Sequence, residues 1–147
     1  MQAGLSWRTI LDKREAMRQQ FDYFNVHKIA KYNKNKINQL MQEPTIIRNR
    51  RKLEAMVTNA QQFITIQNEY QSFSNYLWKF TNYTIIDNTP STTKDIPTHS
   101  ELSVIISKDL KERGFKFVGP IIIYSYLEAM GLINNHLESC FVRNIVK

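Results

Sequence analysis

Apolar residues recur three and four apart through most of this chain, a spacing that predicts packed helices rather than strands. Trp7, Ile10, Leu11 and Met17 step in that register, with Arg14 between them, on a helix that Ser6 can cap. Phe21 and Phe24 then close the stretch against the core. Asn25 and Asn33 are placed as N-caps of two short basic helices, the second carrying Ile37, Leu40 and Met41, and Pro44 stops it. The clearest helix runs over about residues 49–70, where Leu53, Met56, Val57, Ala60, Phe63 and Ile64 keep the 3.6 period. A shorter helix follows Ser72, with Phe73, Leu77 and Phe80 inward. Residues 82–97 are polar, Thr-rich and Pro-containing, which reads as a connecting loop, and only residues 84–86 hint at a strand. Thr98 and Glu101 have capping-box spacing ahead of Leu102, Ile105, Ile106 and Leu110. Gly114 is placed to end that helix, and Pro120 sits where a helix takes a first-turn proline, opening a segment that ends at Gly131. The expected class is all-α, with residues 1–147 forming one domain.

A chain of 147 residues buries roughly 70% of the surface its unfolded form exposes, so a single core needs no disulfides or metal. The lone Cys140 excludes a disulfide framework and suits a reducing compartment. The apolar run at Ile121–Ile123 falls far short of the roughly 20 residues a membrane span needs. Residues 1–16 carry no apolar segment of the secretory type. A soluble, cytoplasmic protein with no membrane partner is expected. The net charge of +7 is unevenly placed, with 12 basic and 4 acidic residues up to Lys52 and 8 and 9 after it. Such asymmetry fits a polyanionic partner, and it fits a solubilising face equally well.

Four features could carry chemistry. Residues 110–130 read as helix, Gly-bounded hairpin, helix, which would turn main-chain N–H groups and a helix N-terminus toward one point, as a phosphate requires. An ordinary helix-to-helix turn has the same spacing. His136 and Cys140 stand four apart, so on a helix they would share a face and could meet one zinc ion. A closed tetrahedral site needs four ligands, and neither His27 nor His99 has a thiol at metal-ligand spacing; a packed thiol beside a surface imidazole is the commoner meaning of such a pair. Arg48, Arg50, Arg51 and Lys52 open the longest helix, where cations oppose the macrodipole unless an anion is present, though a solvated face reads almost as well. Finally, a glycine, a leucine and a tryptophan among the first seven residues would be wasted in a frayed terminus. No Gly-rich phosphate loop, histidine-based nucleophile pattern or carboxylate pair is legible.

The strings Gln2-Ala3-Gly4-Leu5-Ser6-Trp7, Ile46-Ile47-Arg48 with Arg50, Lys52 and Leu53, and Arg113-Gly114-Phe115-Lys116-Phe117-Val118-Gly119-Pro120 occur in one order. With Tyr124-Ser125, Gly131-Leu132, His136 and Cys140 they resemble the 3-methyladenine DNA glycosylase I family along nearly the whole chain. The resemblance implies an all-α helix-hairpin-helix DNA glycosylase fold, a structural zinc, and excision of 3-methyladenine from alkylated double-stranded DNA by a monomer. It implies that Trp7 walls the base pocket, and that Gln2, Gly4 and Leu5 lie where the flipped base leaves the stack, with Leu5 as the wedge. Gly114, Phe115, Lys116, Phe117, Val118 and Gly119 would hold the DNA backbone, and His136 and Cys140 would be two of four zinc ligands. A 3-methylated adenine is cationic and already a good leaving group, so selection and positioning matter more than strong acid catalysis. Aromatic faces suit a flipped cationic base.

The sequence departs from the family at its start. The family's base-reading glutamate, further pocket aromatics, and the Cys and His that complete the zinc site all precede the QAGLSW string, so no catalytic residue is expected within residues 1–147. Met1 is read as a family-internal methionine, the chain as N-terminally truncated, and its activity as impaired. Asn135 stands where some relatives carry Asp. A catalytically inactive remnant gripping the DNA backbone is the alternative, and an interaction protein whose basic face meets something other than DNA is a third.

Overall fold

A computed structural model describes residues 1, 3–143 and 145. The backbone groups into two compact units, Met1–Glu69 with Arg113–Phe117, and Tyr70–Glu112 with Val118–Lys147.

In the first unit Ser6 caps α1 (Trp7–Asp12), its hydroxyl accepting from the Thr9 N–H at 3.2 Å. The expected continuous stripe breaks at Lys13 (φ −102°, ψ 2°), and α2 (Arg14–Gln20) starts afresh. At the break the Lys13 ammonium donates to the carbonyls of Pro44 and Thr45, at 3.3 and 3.0 Å, tying the helix junction to the loop after α4 (Lys34–Gln42). Asn25 and Asn33 cap α3 (Val26–Ile29) and α4 through their side-chain oxygens, as their positions predict. The long helix α5 is Arg50–Tyr70, and Asn49 is its cap rather than its first residue, accepting from the Lys52 N–H at 3.1 Å. Met17, Phe21, Ile29, Ile37, Leu40, Ile46, Leu53 and Ala60 form the buried cluster of this unit. Burying each of the larger side chains contributes about 1.5–3 kcal/mol before entropy is subtracted.

In the second unit Ser72 caps α6 (Phe73–Trp78), and the loop that follows carries β1 (Ile86–Asp87), paired in parallel with β2 (Ile133–Asn134). The strand hint at residues 84–86 overlaps β1 only at Ile86, and a two-residue partner leaves no alternation for a sequence to display. Helix α7 (Glu101–Glu112) has its cap box on Ser100 and Ser103: the Ser103 N–H donates to Ser100 Oγ at 3.2 Å and the Ser100 N–H to Ser103 Oγ at 2.9 Å. Thr98 and Glu101 have the right spacing but lie two residues too early, and Thr98 Oγ1 instead sits 3.3 Å from the His99 ring. Helix α8 (Pro120–Ala129) begins on its proline, as expected. Tyr76, Leu77, Ile106, Leu110, Ile123, Tyr124, Leu127 and Leu132 are among the buried side chains of this unit. The all-α class is borne out. Among the described residues no helix is long and apolar enough to cross a membrane.

Candidate nucleic-acid interface and metal pair

The segment before α1 presents its apolar residues to solvent. Leu5 is 37% exposed and Trp7, the first residue of α1, 58%. Water-facing leucine and tryptophan on an anchored segment suit insertion into something that excludes water. The anchor is Lys52, only 8% exposed, whose Nζ donates to the Met1 carbonyl at 2.9 Å and to the Ala3 carbonyl. Burial holds the Lys52 ammonium pKa below its ordinary value. Lys52 is therefore not one of the phosphate-facing cations that its place in the Arg48, Arg50, Arg51 run suggested. The three arginines are exposed; Arg50 donates to Asn38 Oδ1 at 2.8 Å and lies 3.9 Å from Glu54. No acidic residue occupies the first turn of α5. Gln2 lies outside the described residues.

The hairpin is held on both of its limbs. Gly114 has φ +95°, a left-handed conformation that ends α7 and that other residues adopt only under strain. Phe115 is buried, Lys116 is exposed, and Phe117 takes φ +58° while remaining 45% exposed. In the first unit Asn59 of α5 grips Lys116 twice: the Lys116 N–H donates to Asn59 Oδ1 at 2.8 Å and Asn59 Nδ2 donates to the Lys116 carbonyl at 3.0 Å. Arg113 pairs with Glu69 at 2.7 Å. In the second unit the buried Ser107 of α7 donates its hydroxyl to the Val118 carbonyl at 2.6 Å. Gly119 caps α8 with φ −65°, and a methyl group built on it would meet nothing within 4 Å. Neither conformation nor crowding demands glycine there, so its small size leaves open room beside the first N–H groups of α8, as a close-approaching phosphate would use. Asn59 and Ser107 were not singled out by sequence; each is a polar residue within an amphipathic helix, a pattern shared with many solvent-facing positions.

An apolar recess of about 280 Å³ also opens in the first unit, lined by Phe24, Ile29, Met56, Phe63 and Phe115 among others. Phe24 reaches it from a turn in which Asp22, Tyr23 and Phe24 all have positive φ. That turn is braced by Tyr32, whose hydroxyl donates to Asp22 at 2.6 Å, and this bond lowers the Asp22 carboxyl pKa.

His136 and Cys140 do meet, with Sγ 3.4 Å from Nδ1, but on a turn after β2 and not on a shared helix face. The turn is fastened by Arg143, which donates to the His136 carbonyl and to the Asp87 carboxylate. A separation of 3.4 Å matches two corners of a tetrahedral zinc site. No third His, Cys, Asp or Glu joins them among the described residues. The described donors do not close a site around a zinc ion.

The comparisons with known proteins agree with one another on a class of DNA glycosylases. The family model for methyladenine glycosylase matches residues 1–144. The DNA-3-methyladenine glycosylase of Haemophilus influenzae is 42% identical over 139 residues, covering 95% of this chain and 75% of the relative. DNA-3-methyladenine glycosylase 1 of Escherichia coli K12 is 40% identical, covering 95% and 74%. Among solved structures, a Tyr-to-Phe variant of 3-methyladenine DNA glycosylase I in complex with 3-methyladenine superposes with a TM-score of 0.92 at 42% identity, covering 96% of this chain and 76% of its own. The Staphylococcus aureus 3-methyladenine DNA glycosylase I gives 0.90 at 42% identity, covering 96% and 75%. The chain belongs to the methyladenine glycosylase family.

Proposed function

We propose that this protein is a base-excision repair glycosylase that hydrolyses the N-glycosidic bond of 3-methyladenine in alkylated double-stranded DNA. Family membership together with the water-facing Leu5 and Trp7, on a segment tied down by Lys52, carries the reading. Leu5 fills the gap left in the stack, and Trp7 receives the cationic base on its indole face. Gly4 lines that gap, and Gly114 to Gly119 hold the phosphate backbone.

The chemistry asks little of acid catalysis. As the C1′–N9 bond breaks, its electron pair neutralises the cationic ring, a water oxygen bonds to C1′ and gives up a proton, and neutral 3-methyladenine leaves. Trp7 supplies stacking and orientation for this step. His136 and Cys140 would offer two donors to a structural zinc, and an ion held there would lock the turn after β2. The protein acts on cytoplasmic DNA as a monomer.

Anisotropy of a labelled duplex, run beside base-release chromatography, tests the reading. Salt-dependent binding with base release supports it; binding without release leaves an inactive backbone-binding protein, and no binding at low salt points to a different partner.

A further inference from the structure

We propose that Asn59 is the positioning residue that fixes the hairpin backbone for phosphate, an inference that rests on the hairpin reading above. Its amide pairs with both peptide groups of Lys116, as a neighbouring strand would, across 57 residues of sequence. No other side-chain type of that length carries a donor and an acceptor side by side. The hairpin's first limb lies along one face of α5. Asn59, Gln62 and Glu69 follow helical spacing: Asn59 bonds Lys116, Gln62 lies where a side chain at Gly114 would meet it, and Glu69 pairs with Arg113. The Asn59 pair holds main-chain groups by two hydrogen bonds and so sets the direction of the peptide planes entering Phe117.

That direction matters because Phe117 is a non-glycine residue at φ +58°. Such a conformation persists when the flanking residues over-determine it. Asn59 fixes both peptide groups of Lys116, so the chain entering the strained residue is held. Releasing the Asn59 side would let Phe117 relax, turning the following N–H groups and the Lys116 ammonium away from a bound phosphate.

The experiment uses the whole 147-residue chain, a labelled undamaged duplex and a KCl series, with amide exchange at Lys116 read in parallel. Asn59→Ala is expected to weaken binding about tenfold, with fast Lys116 exchange and an unchanged circular dichroism spectrum. Asn59→Asp keeps the acceptor for the Lys116 N–H, so it should retain exchange protection and lie between the two in affinity. Lys116→Glu separates this inference from the reading beneath it, with an expected salt slope flatter by about one. Wild-type affinity in Asn59→Ala while Lys116→Glu binds weakly would overturn the role given to Asn59. Wild-type affinity in Lys116→Glu as well would take down the hairpin reading and this inference with it. Should Asn59→Ala fail to fold, wild-type affinity in Asn59→Asp overturns the proposal.

Discussion

Lys52 donates its ammonium to the carbonyl of Met1 at 2.9 Å, joining the third residue of α5 to a segment 51 residues earlier. A cation at a helix N-terminus opposes the macrodipole, and here two carbonyl oxygens offset that repulsion where the sequence suggested an external phosphate. Lys52→Met keeps the stem and deletes the charge. The expected cost is about 1.5–3 kcal/mol, the range for a hydrogen bond to a charged group, reduced by the desolvation it removes. In a Trp78→Phe background, acrylamide should quench Trp7 more strongly once the segment is loosened. Unchanged quenching would show that Lys52 does not hold the segment.

The two hairpin glycines should separate when each is changed to alanine. At Gly114 the left-handed φ of +95° penalises any Cβ, so Gly114→Ala should destabilise the fold by about 1 kcal/mol or more. At Gly119 nothing crowds a methyl group, so Gly119→Ala should leave the melting temperature in place and still weaken DNA binding by occupying the room beside α8. Thermal melts and anisotropy on both variants decide this. Equal DNA affinity for Gly119→Ala and the parent chain would remove the phosphate from that position.

What the sequence displays and what it hides divide along physical lines. Helices α3 to α8 announce themselves because caps and apolar periodicity are local, as Asn25, Asn33, Ser72 and Pro120 illustrate. The break at Lys13 is invisible because its cause, the carbonyls of Pro44 and Thr45, lies more than thirty residues away. Asn59 and Ser107 are hidden for the same reason, since a polar residue on a helix does not reveal whether it meets water or a distant carbonyl. Spacing and composition singled out the hairpin and the Leu5–Trp7 start and the resemblance gave them roles, whereas only geometry supplied what holds them.

Tyr32 and Asp22 give a pH signature. The Tyr32 hydroxyl lowers the Asp22 pKa in the folded state, so the unfolded chain binds that proton more tightly. The resulting stability is present above the ordinary carboxylate value of 3.8 and is lost as pH falls through the folded value below it. Tyr32→Phe should raise the Asp22 pKa in a carboxyl NMR titration and flatten this part of the acid limb. An unmoved Asp22 would show that the hydroxyl is not the cause.

The metal pair is separable from the rest. With two donors 3.4 Å apart and no third among the described residues, the 147-residue chain should purify with much less than one zinc per chain. Elemental analysis settles the point: stoichiometric zinc, lost in Cys140→Ser, would mean that this chain completes the site by itself.

The role of the exposed indole in base excision is tested most directly by chromatography of bases released from methylated duplex DNA under excess protein. Free 3-methyladenine is expected to appear faster than from the DNA alone, and Trp7→Ala should remove the increment while duplex binding persists. Release no faster than from DNA alone, in a chain that binds the duplex, would contradict the glycosylase reading.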